Sequence, residues 1–127
     1  MHPNTLLVSE TAAELGLTIE LRTFPDGTKT ALQAADAIGV QVGQIVKSLI
    51  FAVGDDAARS DGEVVVALVP GHLQLDEQKL ATAAGRAACW RVDADAVREA
   101  TGFPIGGVAP IGHRRKLQRA IAELNGA

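Results

Sequence analysis

The chain has 127 residues, about one ordinary domain, and its 47% hydrophobic and 21% charged residues are enough to build a core. Net charge is −3, and the aromatics are three Phe and one Trp with no Tyr, which argues against a molecule-wide pull on nucleic acid and against an aromatic base-stacking platform. The single cysteine, Cys89, rules out an intrachain disulfide and the cysteine metal clusters, and in AACWRV it reads as a small buried apolar residue.

The opening MHPNTLLVSE lacks a basic start and a long apolar run, so the expectation is a soluble cytoplasmic chain with no membrane contact. Leu6, Leu7, Ala12 and Leu15 fit a short amphipathic helix over 5–15, stopped at Gly16. TIELRTF (18–24) alternates and predicts a half-buried strand, followed by turn chemistry at Pro25-Asp26-Gly27. Thr30 is placed as the N-cap of a helix through ALQAADAI, closed by Gly39. IVKSLIFAV (45–53) and EVVVALVP (63–70) read as two buried strands of a hairpin with a long polar loop, GDDAARSDG. Asp76 caps a helix ended by Gly85, AACWRV (87–92) is a short strand, and Asp93 caps a helix ended by Gly102. RRKLQRAIAELNGA predicts a terminal helix running from basic to acidic. Strands interleaved with short helices, without repeat or linker, predict one mixed α/β (α+β) domain over 1–127.

Three features carry chemistry. Lys47 interrupts an otherwise apolar strand, on the face shared by Ile45, Leu49 and Phe51. An edge-strand lysine that discourages aggregation is one reading; a cation facing a ligand oxygen in a pocket is the other. Ser48 points to the opposite face, so a Ser–Lys pair is not expected. FPIGGVAPIGH (103–113) is an apolar loop rich in glycine and proline, which can bring bare backbone N–H groups close to a carbonyl or phosphate oxygen, or can be a tight packed connection. It lacks the spacing and the lysine-serine ending of a P-loop. Finally, Arg114, Arg115, Lys116 and Arg119 gather cations beside that loop, as a solvated face or as a grip on phosphates. His72 and His113 have no partner at metal-ligand spacing, so neither metal nor cofactor is expected.

The stretches PDGTKTALQAADAIGVQVGQIVKSLIF, GHLQLDEQKLATAAG and VREATGFPIGGVAPIGH together resemble the YbaK and prolyl-tRNA editing domain family over about residues 18–115. The resemblance implies a compact domain with a central mixed, partly barrel-like sheet. It also implies hydrolysis of a mischarged aminoacyl-tRNA, tRNA for proline carrying a small wrong amino acid, by the second sieve of double-sieve editing. Lys47 matches the family's lysine at the terminal adenosine, and Gly106 to Pro110 match its GxxxP motif, with Gly106 and Gly107 as backbone donors. By position along the pattern, Phe24, Thr28, Thr30, Ile45, Phe103 and Val108 fall on the pocket walls, and Pro110, His113 and Arg114 follow on the substrate side. The implied partners are the tRNA acceptor end and prolyl-tRNA synthetase. Relatives continue beyond the point where this chain ends, so a homodimer covering an open sheet edge, a non-catalytic aminoacyl-tRNA or nucleotide-binding module, and an inactive truncated relic stand as alternatives.

Overall fold

The computed structural model describes residues 2–24, 30–115 and 117–121. Its centre is a hairpin of β1 (Val46–Gly54) and β2 (Glu63–Pro70), antiparallel from Val46↔Pro70 to Val53↔Glu63. Both strands form where β-branched runs end at turn residues, as the apolar pattern predicts. A third strand, β3 (Ala88–Arg91), pairs antiparallel with the other side of β1, but only along Phe51–Gly54. A fourth, β4 (Gln118–Ile121), lies parallel to β2 opposite Val65–Leu68, giving the order β3-β1-β2-β4.

Four helices accompany the sheet among the described residues. α1 (Pro3–Glu14) starts with proline at its first turn and with the His2 ring accepting the Asn4 N–H at 3.0 Å. α2 (Ala31–Ile38) has a full capping box between Thr30 and Gln33 and ends on Gly39 at φ 84°. α3 (Glu77–Ala83) and α4 (Ala94–Thr101) are capped by Asp76 and Asp93 as the sequence suggests, and α4 ends on Gly102. Leu80 of α3 packs with Phe51, Val53, Val65, Ala67 and Val69 on one face of the sheet. Val97 of α4 packs with Ile50 and Val66 on the other. The mixed α/β class read from the sequence is the one observed.

Two expectations are corrected. Residues 18–24 are extended but pair with no strand among the described residues, and Ile19 and Leu21 stay exposed. Alternation alone does not make a strand: a partner edge must accept it in register, and none does among the described residues. The tail is not helical at 118–121: pairing with the free side of β2 overrides its helical preference. Pro25-Asp26-Gly27 and the tail beyond residue 121 lie outside the described residues.

A polar clamp sets where β3 begins. Arg86 donates to Asp55 at 2.8 Å and to Asp61 at 3.0 Å, and reaches Glu63 at 3.4 Å. Asp55 also accepts the Ala87 N–H at 2.9 Å, so the hairpin loop is tied to the first residues of β3. Asp61 accepts the Asp55 and Asp56 N–H groups at 2.9 and 3.0 Å. Those two amides, with Arg86 beside it, hold the Asp61 carboxyl below the ordinary carboxylate range. A carboxyl depressed on folding adds stability that is complete above its unfolded value near pH 4 and is lost as pH falls through the lower folded value. Asp61→Asn should therefore lower the urea midpoint at pH 7, by progressively less as pH is taken down below about 4. An equal loss across that range would assign the effect to geometry rather than charge.

At the end of α4, the Thr101 side chain is fully buried. Its hydroxyl donates to the Val97 carbonyl at 2.7 Å and accepts the Phe103 N–H at 3.0 Å, turning the chain out of the helix. Thr101→Val keeps the shape and strands that amide, so it should cost about 1–3 kcal/mol in chemical denaturation.

Candidate active site

The cleft lies where β3 stops. Beyond Phe51, the β3 side of β1 has no strand partner over Val46–Ile50 among the described residues, and a cavity of about 450 Å³ opens along it. Thr30, Ala31 and Ala34 from the start of α2 form one wall. Ile105, Gly106 and Val108 from the glycine loop, with Val97 of α4, form another. The floor is β1 from Ile45 to Phe51, and Arg91 and Val92 close the end. The cleft follows a strand edge, so residues of both faces of β1 line it, Ser48 and Ile50 as well as Lys47 and Leu49. Val46 and Ile105 remain 59% and 61% exposed at the site, leaving apolar surface for a ligand.

A close backbone approach positions this floor. The Gly71 N–H donates to the Ile45 carbonyl at 2.6 Å, and a Cβ on Gly71 would lie 2.4 Å from the Val42 carbonyl oxygen. Only glycine lets the end of β2 seat against the entry to β1. Lys47 is half-buried, and its ammonium donates to the Leu73 carbonyl at 2.5 Å. One of three donors is thereby used, which fixes the side chain and leaves two for a ligand.

The loop is built as a closed unit. Its base is joined by Arg114 N–H to Thr101 O at 3.0 Å and Arg115 N–H to Ala100 O at 3.1 Å. Within it, Gly107 N–H donates to Pro104 O at 2.9 Å, closing a turn whose third residue, Gly106, has φ 81°. A positive φ there is what a type II turn requires. The Gly107 amide is thus engaged, whereas Gly106, a residue of the cleft wall, makes no backbone N–H hydrogen bond among the described residues. His113 Nε2 lies 2.6 Å from the Ala109 carbonyl, and its ring stands edge-on to Phe103 at 6.2 Å.

The sequence candidates therefore separate. Lys47, Thr30, Ile45, Gly106 and Val108 come together on the cleft. Phe103 is in the core at 2% exposure, and His113 braces the loop from within. Phe24, Gly107, Pro110 and Arg114 are off the cleft wall, and Thr28 lies outside the described residues. The tail joins the sheet along β2, on the side away from β3. Arg91, Ala34 and Ser48 were not singled out from the sequence; the register of β3 against β1 is what brings Arg91 in. Among the described residues no group of His, Cys, Asp and Glu could hold a metal ion, and no helix is long and apolar enough to cross a membrane.

The model of the aminoacyl-tRNA editing domain matches residues 25–123. The chain belongs to the aminoacyl-tRNA editing domain family. A proline–tRNA ligase of Citrifermentans bemidjiense is 35% identical over 99 residues, covering 78% of this chain and 16% of the ligase. EbsC of Enterococcus faecalis, named as a candidate Cys-tRNA(Pro)/Cys-tRNA(Cys) deacylase, is 32% identical over 74% of this chain and 54% of its own length. The chain thus spans about half of EbsC and a much smaller share of the ligase. A crystal structure of a candidate trans-editing enzyme for prolyl tRNA synthetase superposes with a TM-score of 0.78 at 35% identity, over 95% of this chain and 73% of that one.

Cys89, packed against the core beside β1, is not built as a nucleophile. Burial, with a smaller push from Glu77, raises its thiol to about 11. Iodoacetamide should therefore alkylate the native protein at pH 8 roughly a hundredfold more slowly than the urea-unfolded chain, because the thiolate reacts. Equal rates would overturn that placement.

Proposed function

We propose that this chain hydrolyses the ester of a mischarged aminoacyl-tRNA, tRNA for proline carrying a small wrong amino acid. The observation that carries the reading is a cleft, in a member of the editing family, lined by a lysine and by a glycine whose N–H makes no hydrogen bond among the described residues. The ligase and trans-editing relatives support proline as the tRNA class.

The ester is already activated, so the site needs little side-chain chemistry. Water adds to the ester carbonyl, and charge develops on the carbonyl oxygen. The Gly106 N–H donates to that oxyanion, a contribution of about 3–4 kcal/mol for a well-placed donor. A hydroxyl or amino group of the substrate takes the water's proton. Collapse then breaks the bond to the ribose oxygen, which is protonated, and frees the amino acid. Lys47 holds the nucleotide end through its two remaining donors. The apolar side chains of Ile45 and Val108 limit the amino-acid side chain to a small one.

A second reading has one observation in its favour. The Lys47 ammonium already serves the Leu73 carbonyl, so the lysine could stabilise the 71–75 turn in a module that binds without catalysis. The test is deacylation of tRNA for proline charged in turn with alanine, cysteine, serine and 2-aminobutyrate, beside Lys47→Ala. The expected outcome is hydrolysis of at least one substrate, lowered a hundredfold or more in a variant that has lost only about 1 kcal/mol of stability. A folded wild type that hydrolyses none, or a variant that unfolds, would favour the second reading.

A further inference from the structure

Among the described residues, two cations line the cleft and no carboxylate does. Lys47 has a part in the reaction proposed above, and Arg91 has none. Arg91 is the last residue of β3 and stands opposite Phe51. Directly opposed residues of an antiparallel pair project from the same face, and Phe51, Leu49 and Lys47 share that face. Arg91 thus projects from the Lys47 side of the sheet. Phe51 lies four residues from Lys47, about 13 Å at roughly 3.3 Å per residue. Lys47 leans toward the end of β2, at Leu73, while Arg91 rises from the β3 side. The two cations therefore stand at opposite ends of an apolar strip rather than around one point.

Arg91 is also unneutralised. Arg86 is held by three carboxylates, Arg115 by Glu99 and Arg22 by Glu20. Arg91 makes no ion pair among the described residues and is exposed. An aminoacyl-tRNA has its ester on the last ribose and its nearest charges on the phosphodiesters leading to it. A guanidinium at the closed end of the cleft fits such a phosphate with a two-pronged grip.

We propose that Arg91 is a positioning residue that binds a phosphodiester of the acceptor end, so that the terminal ester lies over Lys47 and Gly106. The assignment rests on the deacylase reading for its substrate, but binding tests it separately. Wild type, Arg91→Gln and Arg91→Lys are compared for affinity to uncharged tRNA for proline across a salt series, by fluorescence anisotropy, and for deacylation kinetics. Arg91→Gln should weaken binding about tenfold and lower the log–log salt slope by about one, with Arg91→Lys recovering much of both. In deacylation, KM should rise with kcat unchanged. A folded Arg91→Gln protein with wild-type affinity and slope overturns the assignment, as does a wild type that fails to bind tRNA. A fall in kcat at unchanged KM overturns it too, by moving Arg91 to the reacting atoms. Arg91-dependent tRNA binding in a wild type that deacylates nothing would sustain the assignment and sink the deacylase reading instead.

Discussion

The length mismatch between β1 and β3 is the constraint on which the rest of the structure depends. β1 runs from Val46 to Gly54, and β3 accompanies it only from Gly54 back to Phe51. The remaining edge of β1 keeps backbone groups without a ladder partner, which a sheet must cover or use. Here α2 and the glycine loop stand off on either side, and the uncovered edge becomes a cleft. The Arg86 clamp fixes where β3 enters, the register then carries Arg91 to Phe51, and the cleft ends there. An ion-pair network whose residues are not among those lining the cavity thus helps to set the cavity's length.

Much of this was legible where the signal is local. Thr30, Asp76 and Asp93 are short polar residues just ahead of helical runs, and Gly39 and Gly102 end two of those runs in the left-handed conformation. Lys47 stood out because a cation among strand-forming apolar residues has few reasons to be there. The failures were non-local. Residues 18–24 have the alternation of a strand, yet a strand exists only if another edge accepts it. The tail has helical composition, yet β2 offered it a ladder. Arg91 looked like any charged residue at the end of a short strand, since only the pairing register gives it a neighbour. The difference between Gly106 and Gly107 was available in the PIGG order, because a type II turn places glycine third and consumes the fourth amide.

Charge is distributed to match. The chain is acidic overall, and some of its carboxylates are committed elsewhere, Asp55, Asp61 and Glu63 around Arg86 and Asp76 and Asp93 as helix caps. Among the described residues, the charged side chains that line the cleft are Lys47 and Arg91. A field of one sign in a recess is felt more strongly than the same charges on an open surface, because the walls exclude water. The net charge of the molecule therefore says little about which ligands its cleft prefers.

The loop over residues 102–113 is held by its own contacts: two hydrogen bonds across its base, the Thr101 hydroxyl, the Pro104–Gly107 turn and the His113–Ala109 brace. None of these involves a ligand. A wall already frozen in shape has little conformational freedom left to lose when something docks on it. It also cannot mould itself around a poor fit. Discrimination at such a wall is set by hard contact, as with a gauge, and the turn geometry holds that gauge to one setting.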